Sequence, residues 1–430
     1  MNTLWDFLSM SDANVRFVTI GSVLLAASSA VVGCFTVLRK RALVGDAVAH
    51  SVLPGVCLAF ILTGEKNPLI LLLGSFLTGW LSLVIIDVIT AKSRIKEDTA
   101  IGLVLSVFFG VGILFLTSIQ HSGNANQSGL DKFLFGSAAA LVGKDLITFS
   151  AVALLLLLSV VLLYKEFKLI SFDMAYARTI GLPVRGLELL LTTLTVLAVV
   201  VGIQSVGVVL MSAMLITPAA AARFWTDRLG MMILIAALMS SFCGAAGAFV
   251  SFTAPAMPTG PWIVMLLSIL AIFSFIMAPR KGLLARYLLQ RGVRRQMTRE
   301  NILKTLFHLG EAKGEYESSY SRQQILERRQ QPLKRMKKAL QQLSRQGLIK
   351  KSNRNWALTP AGKKEAQRVV RLHRLWELYL TQYLQVASDH VHEDAESIEH
   401  VLTPELEKRL EELLDFPTAD PHHSSIPQQP

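Results

Sequence analysis

Residues 42–60 read Ala42-Leu43-Val44-Gly45-Asp46-Ala47-Val48-Ala49-His50-Ser51-Val52-Leu53-Pro54-Gly55-Val56-Cys57-Leu58-Ala59-Phe60. The stretch is apolar and of helical length, yet it carries Asp46 and His50 four positions apart, which stacks them on one helical face. A carboxylate and an imidazole one turn apart can hold one divalent cation. An ionisable side chain in a span costs about 2.5–3.5 kcal/mol even on the insertion scale, so such groups persist chiefly where they face a pathway or a partner. The stretch therefore reads as a metal-handling span. The alternative is that Asp46 caps the helix and His50 is a satisfied interior histidine.

Around this stretch, the chain of 430 residues is 52% hydrophobic and only 17% charged, with a mean hydropathy of +0.46. That is too apolar for an ordinary soluble protein and long enough for two units. Apolar blocks separated by short charged or Gly/Pro-rich breaks run to about residue 280 and are absent from Lys281 onward, which sets a boundary at Ala278-Pro279-Arg280-Lys281. Residues 281–374 hold 24 Lys+Arg against 6 Asp+Glu, whereas 375–430 hold 2 against 12, so a basic module precedes an acidic one. Cys34, Cys57 and Cys243 lie far apart in apolar runs and read as small core residues without a disulfide framework. Residues 1–16, with Trp5, Phe7 and Leu8, lack the pattern of a cleavable leader and read as an interfacial lead-in.

Nine spans are expected, at 17–38, 43–63, 68–90, 99–119, 145–164, 186–204, 205–223, 229–252 and 260–278, each near the ~20 residues that cross a bilayer core. The apolar segment 131–143 is too short to cross and is expected to be a re-entrant or broken helix packed against protein. Arg39-Lys40-Arg41, Lys92/Arg94/Lys96, Lys165/Lys168/Arg178/Arg185, Arg223/Arg228 and Arg280/Lys281 fall on alternate loops. The positive-inside rule assigns those loops, and with them the C-terminal half, to the cytoplasm. The chain is thus expected in the inner (cytoplasmic) membrane.

Gly45-Asp46-Ala47-Val48-Ala49-His50-Ser51-Val52-Leu53-Pro54-Gly55 resembles the hallmark of permease subunits of ABC importers for manganese, zinc and iron. Lys96 to Gly102, Leu130-Asp131-Lys132-Phe133-Leu134-Phe135-Gly136, Phe172-Asp173 through Gly181-Leu182, Leu215-Ile216-Thr217-Pro218-Ala219-Ala220 and Pro258-Thr259-Gly260-Pro261 stand in the family's order. The resemblance covers about residues 10–285. It implies a second permease copy or a paralogue, a separate ABC ATPase subunit and an extracytoplasmic metal-binding protein. Two copies of Asp46 and His50 would then converge near a two-fold axis, and such mixed O/N ligation suits Mn2+, Fe2+ or Zn2+. Pro54 would bend the same helix by removing a hydrogen bond. Phe172, Asp173, Ala177 and Gly181 belong to a stretch resembling the coupling helix that docks on the ATPase; the other account of it is an amphipathic connector. The chain has no G-x-x-x-x-G-K-[ST] sequence to cradle ATP phosphates, so it is not expected to be an enzyme itself.

In the basic module, 300–309 reads as a helix, 322–329 as a second helix capped by Ser321, and 332–346 as a third. The third buries Leu333, Met336, Leu340 and Leu343 at helical spacing and exposes Lys334, Arg335, Lys337, Lys338 and Arg345. Strands at 348–351 and 356–359 follow, joined by a turn that carries Arg354. This order is a winged helix-turn-helix over 286–370, in which those cations and Arg354 would meet operator DNA. A docking module, or attraction to acidic lipid headgroups, would use the same charge.

His373 and Glu377 are i,i+4, and His392, Glu396, Glu399 and His400 share one helical face, so 371–416 reads as a helical metal-binding segment, to which a family resemblance adds dimerisation. The stretch from about 297 to 427 resembles iron- and manganese-dependent repressors of the diphtheria-toxin-repressor type, through Arg371-Leu372-His373-Arg374-Leu375-Trp376-Glu377, His392 to His400, and Asp420-Pro421-His422 with Ile426-Pro427. The resemblance implies a metal effector, and Glu396 stands where manganese-responsive members have glutamate and iron-responsive ones cysteine. Asn301 and Lys304 occupy first-helix positions where that family has further ligands. Residues 417–430 are expected to be a flexible tail. The expected whole is an all-α polytopic membrane domain (1–285) that imports metal, fused to this cytoplasmic regulatory part. A membrane-anchored metal-sensing transcription factor, and a tail that gates transport in cis, remain the alternatives.

Overall fold

The computed structural model describes residues 2–64, 67–121, 143–253, 257–328, 332–384, 404–422 and 424–427. The chain forms two compact units, Met1–Ala285 and Arg286–Pro430.

The first unit is helical among the described residues: α1 (Asn2–Leu8), α2 (Ala13–Leu38), α3 (Val44–Ser51), α4 (Leu53–Thr63), α5 (Pro68–Lys92), α6 (Glu97–His121), α7 (Gly143–Leu162), α8 (Tyr164–Phe172), α9 (Met174–Thr179), α10 (Val184–Val206), α11 (Val208–Trp225), α12 (Leu229–Thr253) and α13 (Thr259–Met277). Among the described residues, eight helical segments are long and apolar enough to cross a membrane, with α3 and α4 together forming one. The segment expected as a ninth span, 205–223, is α11, whose apolar part Leu210–Trp225 is shorter than those eight. Only Gly207, at φ +94°, separates α10 from α11, and that backbone geometry favours a residue without Cβ. The expected re-entrant segment 131–143 lies outside the described residues except for Gly143.

Burial sorts the spans. Windows of α2, α3–α4 and α10 are 72%, 78% and 61% buried, against 22–33% for α5, α6, α7, α12 and α13. The outer helices keep exposed leucines such as Leu73, Leu114, Leu158 and Leu238, as a lipid-facing surface requires. Lipid is as apolar as leucine, so the inner helices associate by close packing of small residues. Gly55 on α4 and Gly74 on α5 lie so close that a Cβ on either would strike the other's carbonyl, and Gly33 on α2 meets the Leu215 carbonyl of α11 in the same way.

The second unit contains most of α14 (Leu283–Glu311), then β1 (Tyr320–Ser321), α15 (Arg322–Arg328), α16 (Leu333–Arg345), β2 (Ile349–Ser352), β3 (Asn355–Leu358), α17 (Pro360–Tyr383) and α18 (Pro404–Leu413). The helix expected at 300–309 is therefore only the C-terminal part of α14. The strands form an antiparallel sheet in the order β1-β3-β2, with Tyr320 opposite Trp356 and Ile349 opposite Leu358. Asn353, at φ +54°, lies in the two-residue turn joining β2 to β3, a position that asparagine tolerates.

Ser321 caps α15 reciprocally: its N–H donates to Gln324 Oε1 at 2.9 Å and the Gln324 N–H donates to its Oγ at 3.3 Å. Met336, Ala339, Leu340 and Leu343 of α16 join Ile302, Leu306, Trp356 and Val370 in one core. Leu333 is exposed instead of buried, because α16 starts there and its first turn lies outside that core.

The tail expected to be flexible is held in place over its described part. Ala419 pairs with Ser425 in an antiparallel bridge, and the Ile426 N–H donates to the Thr418 carbonyl at 2.8 Å. Asp420 Oδ1 accepts from the N–H groups of His422 and Ser424 at 2.9 and 2.8 Å. Ile426 packs with Leu375, Leu410 and Leu414. A Pro/Ser-rich composition conceals these bonds, since an aspartate closing its own turn and one apolar anchor suffice to order the segment.

Candidate functional site

The span α3–α4 carries the candidate metal-handling pair. Pro54 has no N–H to give the His50 carbonyl, and the helix is interrupted at Val52 between α3 and α4. Asp46 stands in the first turn of α3 and His50 in its last, the ends where the helix dipole favours an anion and a cation respectively. His50 Nε2 and Asp46 Oδ1 are 3.7 Å apart, with side chains 23% and 39% exposed. The imidazole and the ring of Phe109 on α6 form a T-shaped pair, with centroids 5.3 Å apart and planes at 88°. His50 Nδ1 is buried and, among the described residues, has no hydrogen-bond partner.

The two side chains are brought together without forming a tight ion pair, and one imidazole nitrogen, though buried, has no partner among the described residues. A pair supplies two donors, and among the described residues no group of three or more His, Cys, Asp or Glu could hold a metal. The described residues of one copy therefore place two donors at this point. The packing beside it is close: a Cβ on Gly45 would come within 2.8 Å of the Leu215 side chain, and one on Gly112 within 2.8 Å of Leu53.

The turn before α3, where Arg39-Lys40-Arg41 reads in the sequence only as positive charge, holds an ionic cluster. Arg41 donates to Asp87 on α5 at 2.9 Å and pairs with Glu97 on α6 at 2.9 Å. Arg39, largely buried, pairs with Glu188 on α10. These links tie three helices to the entry of α3 and so fix where Asp46 starts. Asp87 and Glu188 lie inside apolar runs, a signal that was available in the sequence.

Of the coupling-loop candidates, Ala177 is fully buried beside Phe35, Phe167, Val184 and Leu187. Asp173 caps α9 by accepting from the Tyr176 N–H at 2.8 Å, and Gly181 takes φ +81°. Phe172, Tyr176 and Ile180 are exposed. The loop is thus a short helix pinned by Ala177, with three large apolar side chains uncovered.

In the second unit, Lys334, Arg335, Lys337, Lys338, Arg345 and Arg354 are all exposed. His373 and Glu377 are buried on α17, with Nε2 and Oε1 2.8 Å apart. Asn301 and Lys304 on α14 are buried as well. His392, Glu396, Glu399 and His400 lie outside the described residues. His373 and Glu377 fit a cation as nitrogen and oxygen donors, whereas the Lys304 ammonium offers none. Two further buried cations anchor the C-terminal clip: Arg371 to Glu411 and the Pro427 carbonyl, and Arg374 to Glu311, Asp420 and the Ser425 carbonyl.

With this geometry established, the relatives of the chain can be placed beside it. Residues 11–278 match the ABC 3 transport family, and residues 359–428 match the metal binding and dimerisation domain of iron dependent repressors. The manganese transport system membrane protein MntC of Bacillus subtilis is 43% identical over 390 residues, 90% of this chain and 88% of its own. That alignment is longer than the membrane unit and includes much of the second. The zinc transport system membrane protein TroC of Treponema pallidum is 42% identical over 274 residues, 64% of this chain and 92% of its own. Among solved structures, PsaBC from Streptococcus pneumoniae in complex with Fab is 32% identical, covers 67% of this chain and 99% of that one, and superposes with a TM-score of 0.58.

Proposed function

We infer the function from one premise: this chain belongs to the ABC 3 transport family. It is a multi-pass membrane permease of the metal-transport kind, carrying a C-terminal domain of the iron-dependent-repressor type. We propose that it moves Mn2+, Fe2+ or Zn2+ into the cytoplasm, driven by a separate ABC ATPase and supplied by an extracytoplasmic metal-binding protein.

The observation that carries this reading is the Asp46–His50 pair, with an imidazole nitrogen unpartnered among the described residues, on the most buried of the candidate spans. Two copies, facing each other across a two-fold axis, would supply two carboxylates and two imidazoles, a donor set for a transition metal and a poor one for Ca2+ or Mg2+. Exposed Phe172, Tyr176 and Ile180 around α9 would dock in the ATPase, with Ala177 and Gly181 fixing their presentation.

The arrangement α14–β1–α15–α16–β2–β3 supports a winged helix-turn-helix over 286–370, with α16 as the helix for operator DNA and Arg354 in the wing. His373 and Glu377, with His392, Glu396, Glu399 and His400, would hold the regulatory metal in 371–416. A bound metal there would favour one arrangement of the helices that carry its ligands. The second unit would lie in the cytoplasm.

Accumulation of radiolabelled manganese by cells expressing the chain with its ATPase, competed by zinc and by iron, tests the transport reading. Equal accumulation with and without the chain would remove it.

A further inference from the structure

Two helices of the second unit line a cavity of 530 Å³. From α14 come Tyr287, Arg291, Arg294, Arg295 and Thr298, at the three- and four-residue steps of one helical face. From α16 come Arg335, Lys338 and Arg345, likewise on one face. Six cations therefore border one space, and among the described residues no carboxylate lines it and none of the six has an ion-pair partner.

The neighbouring cleft behaves differently. It shares Arg295 and adds Arg299, Lys364 and Arg368, but Glu300 and Glu365 line it too, and Arg368 is paired with Glu365 at 2.9 Å. Where α14 packs towards α17, its cations stand among carboxylates; where it packs towards α16, they do not. Like charges facing each other across a cavity repel, and an anion between them relieves that repulsion.

We propose that α14 and α16 form a phosphate clamp, in which Arg291, Arg294 and Arg295 grip the nucleic-acid backbone alongside Arg335, Lys338 and Arg345. The ligand class is a phosphodiester chain, and the inference rests on the reading of α16 as a DNA-binding helix. Nucleic acid is favoured over other polyanions because the cavity adjoins a helix whose remaining exposed cations, Lys334 and Lys337, continue the same surface. Half of the clamp comes from the stretch of α14 that precedes the buried run starting at Asn301, so the helix leading out of the membrane unit contributes to binding. Guanidinium groups meeting phosphates add affinity without reading bases.

The test uses the full-length protein in phosphatidylcholine nanodiscs, titrated with a duplex from its own promoter region and with a scrambled duplex of equal length, across a series of salt concentrations. Replacing Arg291, Arg294 and Arg295 together by alanine should lower the slope of log affinity against log salt by about 2.7, at about 0.9 per phosphate released, and equally for both duplexes. Lysine at the same three positions should largely restore the slope. Hydrogen-exchange protection of α16 in each variant shows that the unit is folded. An unchanged slope, tighter binding by the alanine variant, or a loss confined to the promoter duplex would each overturn the clamp. An unchanged slope together with weakened protection of α14 by phosphatidylglycerol nanodiscs would assign the cations to lipid headgroups instead. Failure of the unaltered protein to bind either duplex would overturn the DNA-binding reading beneath it.

Discussion

Arg374 on α17 donates to both carboxylate oxygens of Glu311 at the end of α14, at 3.2 and 2.9 Å. Burial alone would raise the Glu311 pKa, but the hydrogen bonds and charge of Arg374 outweigh it and hold the carboxyl below its usual range. The adjacent His308 is pushed below the usual histidine value by burial, which its hydrogen bond to Glu311 only partly offsets. Both folded-state pKa values lie below the unfolded ones, so the folded state binds fewer protons and loses stability as pH falls. The decline should begin as pH drops through about 6.5, where an unfolded histidine titrates, and continue through the carboxylate range. Hydrogen exchange of peptides from α14 and 418–427, corrected for intrinsic pH dependence, should show this loss, and His308→Gln should flatten its upper part. Stability that is constant from pH 7.5 to 4 would contradict it.

Removing Arg374 itself should do more, because Glu311 and Asp420 would each lose a partner. Arg374→Ala is expected to destabilise the second unit by about 3 kcal/mol and to release the clip at 418–427, read as faster exchange or cleavage there with α2–α4 unaffected.

The mutual approach of Gly55 and Gly74 leaves no room for a side chain on either helix. Gly74→Ala should cost about 1–3 kcal/mol through overpacking and lower the thermal stability of the detergent-solubilised protein. Gly102→Ala on α6, where a Cβ would meet nothing, should leave it unchanged.

Coupling should depend on Gly181, whose φ of +81° strains any other side chain by about 1–2 kcal/mol. Gly181→Val is expected to reduce metal uptake several-fold while protein level and insertion stay normal. Copurification with the ATPase should fall in parallel. Intact copurification with normal uptake would take this loop out of the coupling path.

Much of this architecture is legible in the sequence, because a bilayer turns composition into length: an apolar run either crosses or does not. Asp46, His50 and Pro54 announce themselves for the same reason, as polar or helix-breaking residues where apolar ones are the default. Short local patterns were also readable, such as Ser321 with Gln324 and the turn at Asn353. What escaped depends on partners distant in sequence. Arg39 and Arg41 look like topology markers until Glu188, Asp87 and Glu97 are seen to receive them. β1 is two residues long and exists only because β3 lies beside it. The early start of α14 is hard to read because 286–296 is exposed and its few apolar residues, Leu288, Leu289 and Val293, stand thinly among cations, which leaves only a weak periodic signature.

In the second unit, exposed Lys337 and Lys338 should act mainly through phosphate. Lys337→Ala with Lys338→Ala is expected to lower the salt slope of DNA binding by about 2. Adding Mn2+ should tighten promoter binding relative to chelator at matched ionic strength, and less so than a site without Lys304 would allow. Lys304→Glu should increase that metal response. Identical affinity with metal and with chelator, in both proteins, would make the domain a constitutive binder.

The central claim is that Asp46 and His50 lie on the path of the metal. Its most direct test is the initial rate of radiolabelled manganese uptake by cells expressing the unaltered chain, Asp46→Ala or His50→Ala, each with the ATPase and with equal amounts of permease inserted in the membrane. The account predicts that either substitution reduces uptake at least tenfold, to near the level of cells without the permease. Uptake at the unaltered rate in both variants would contradict it.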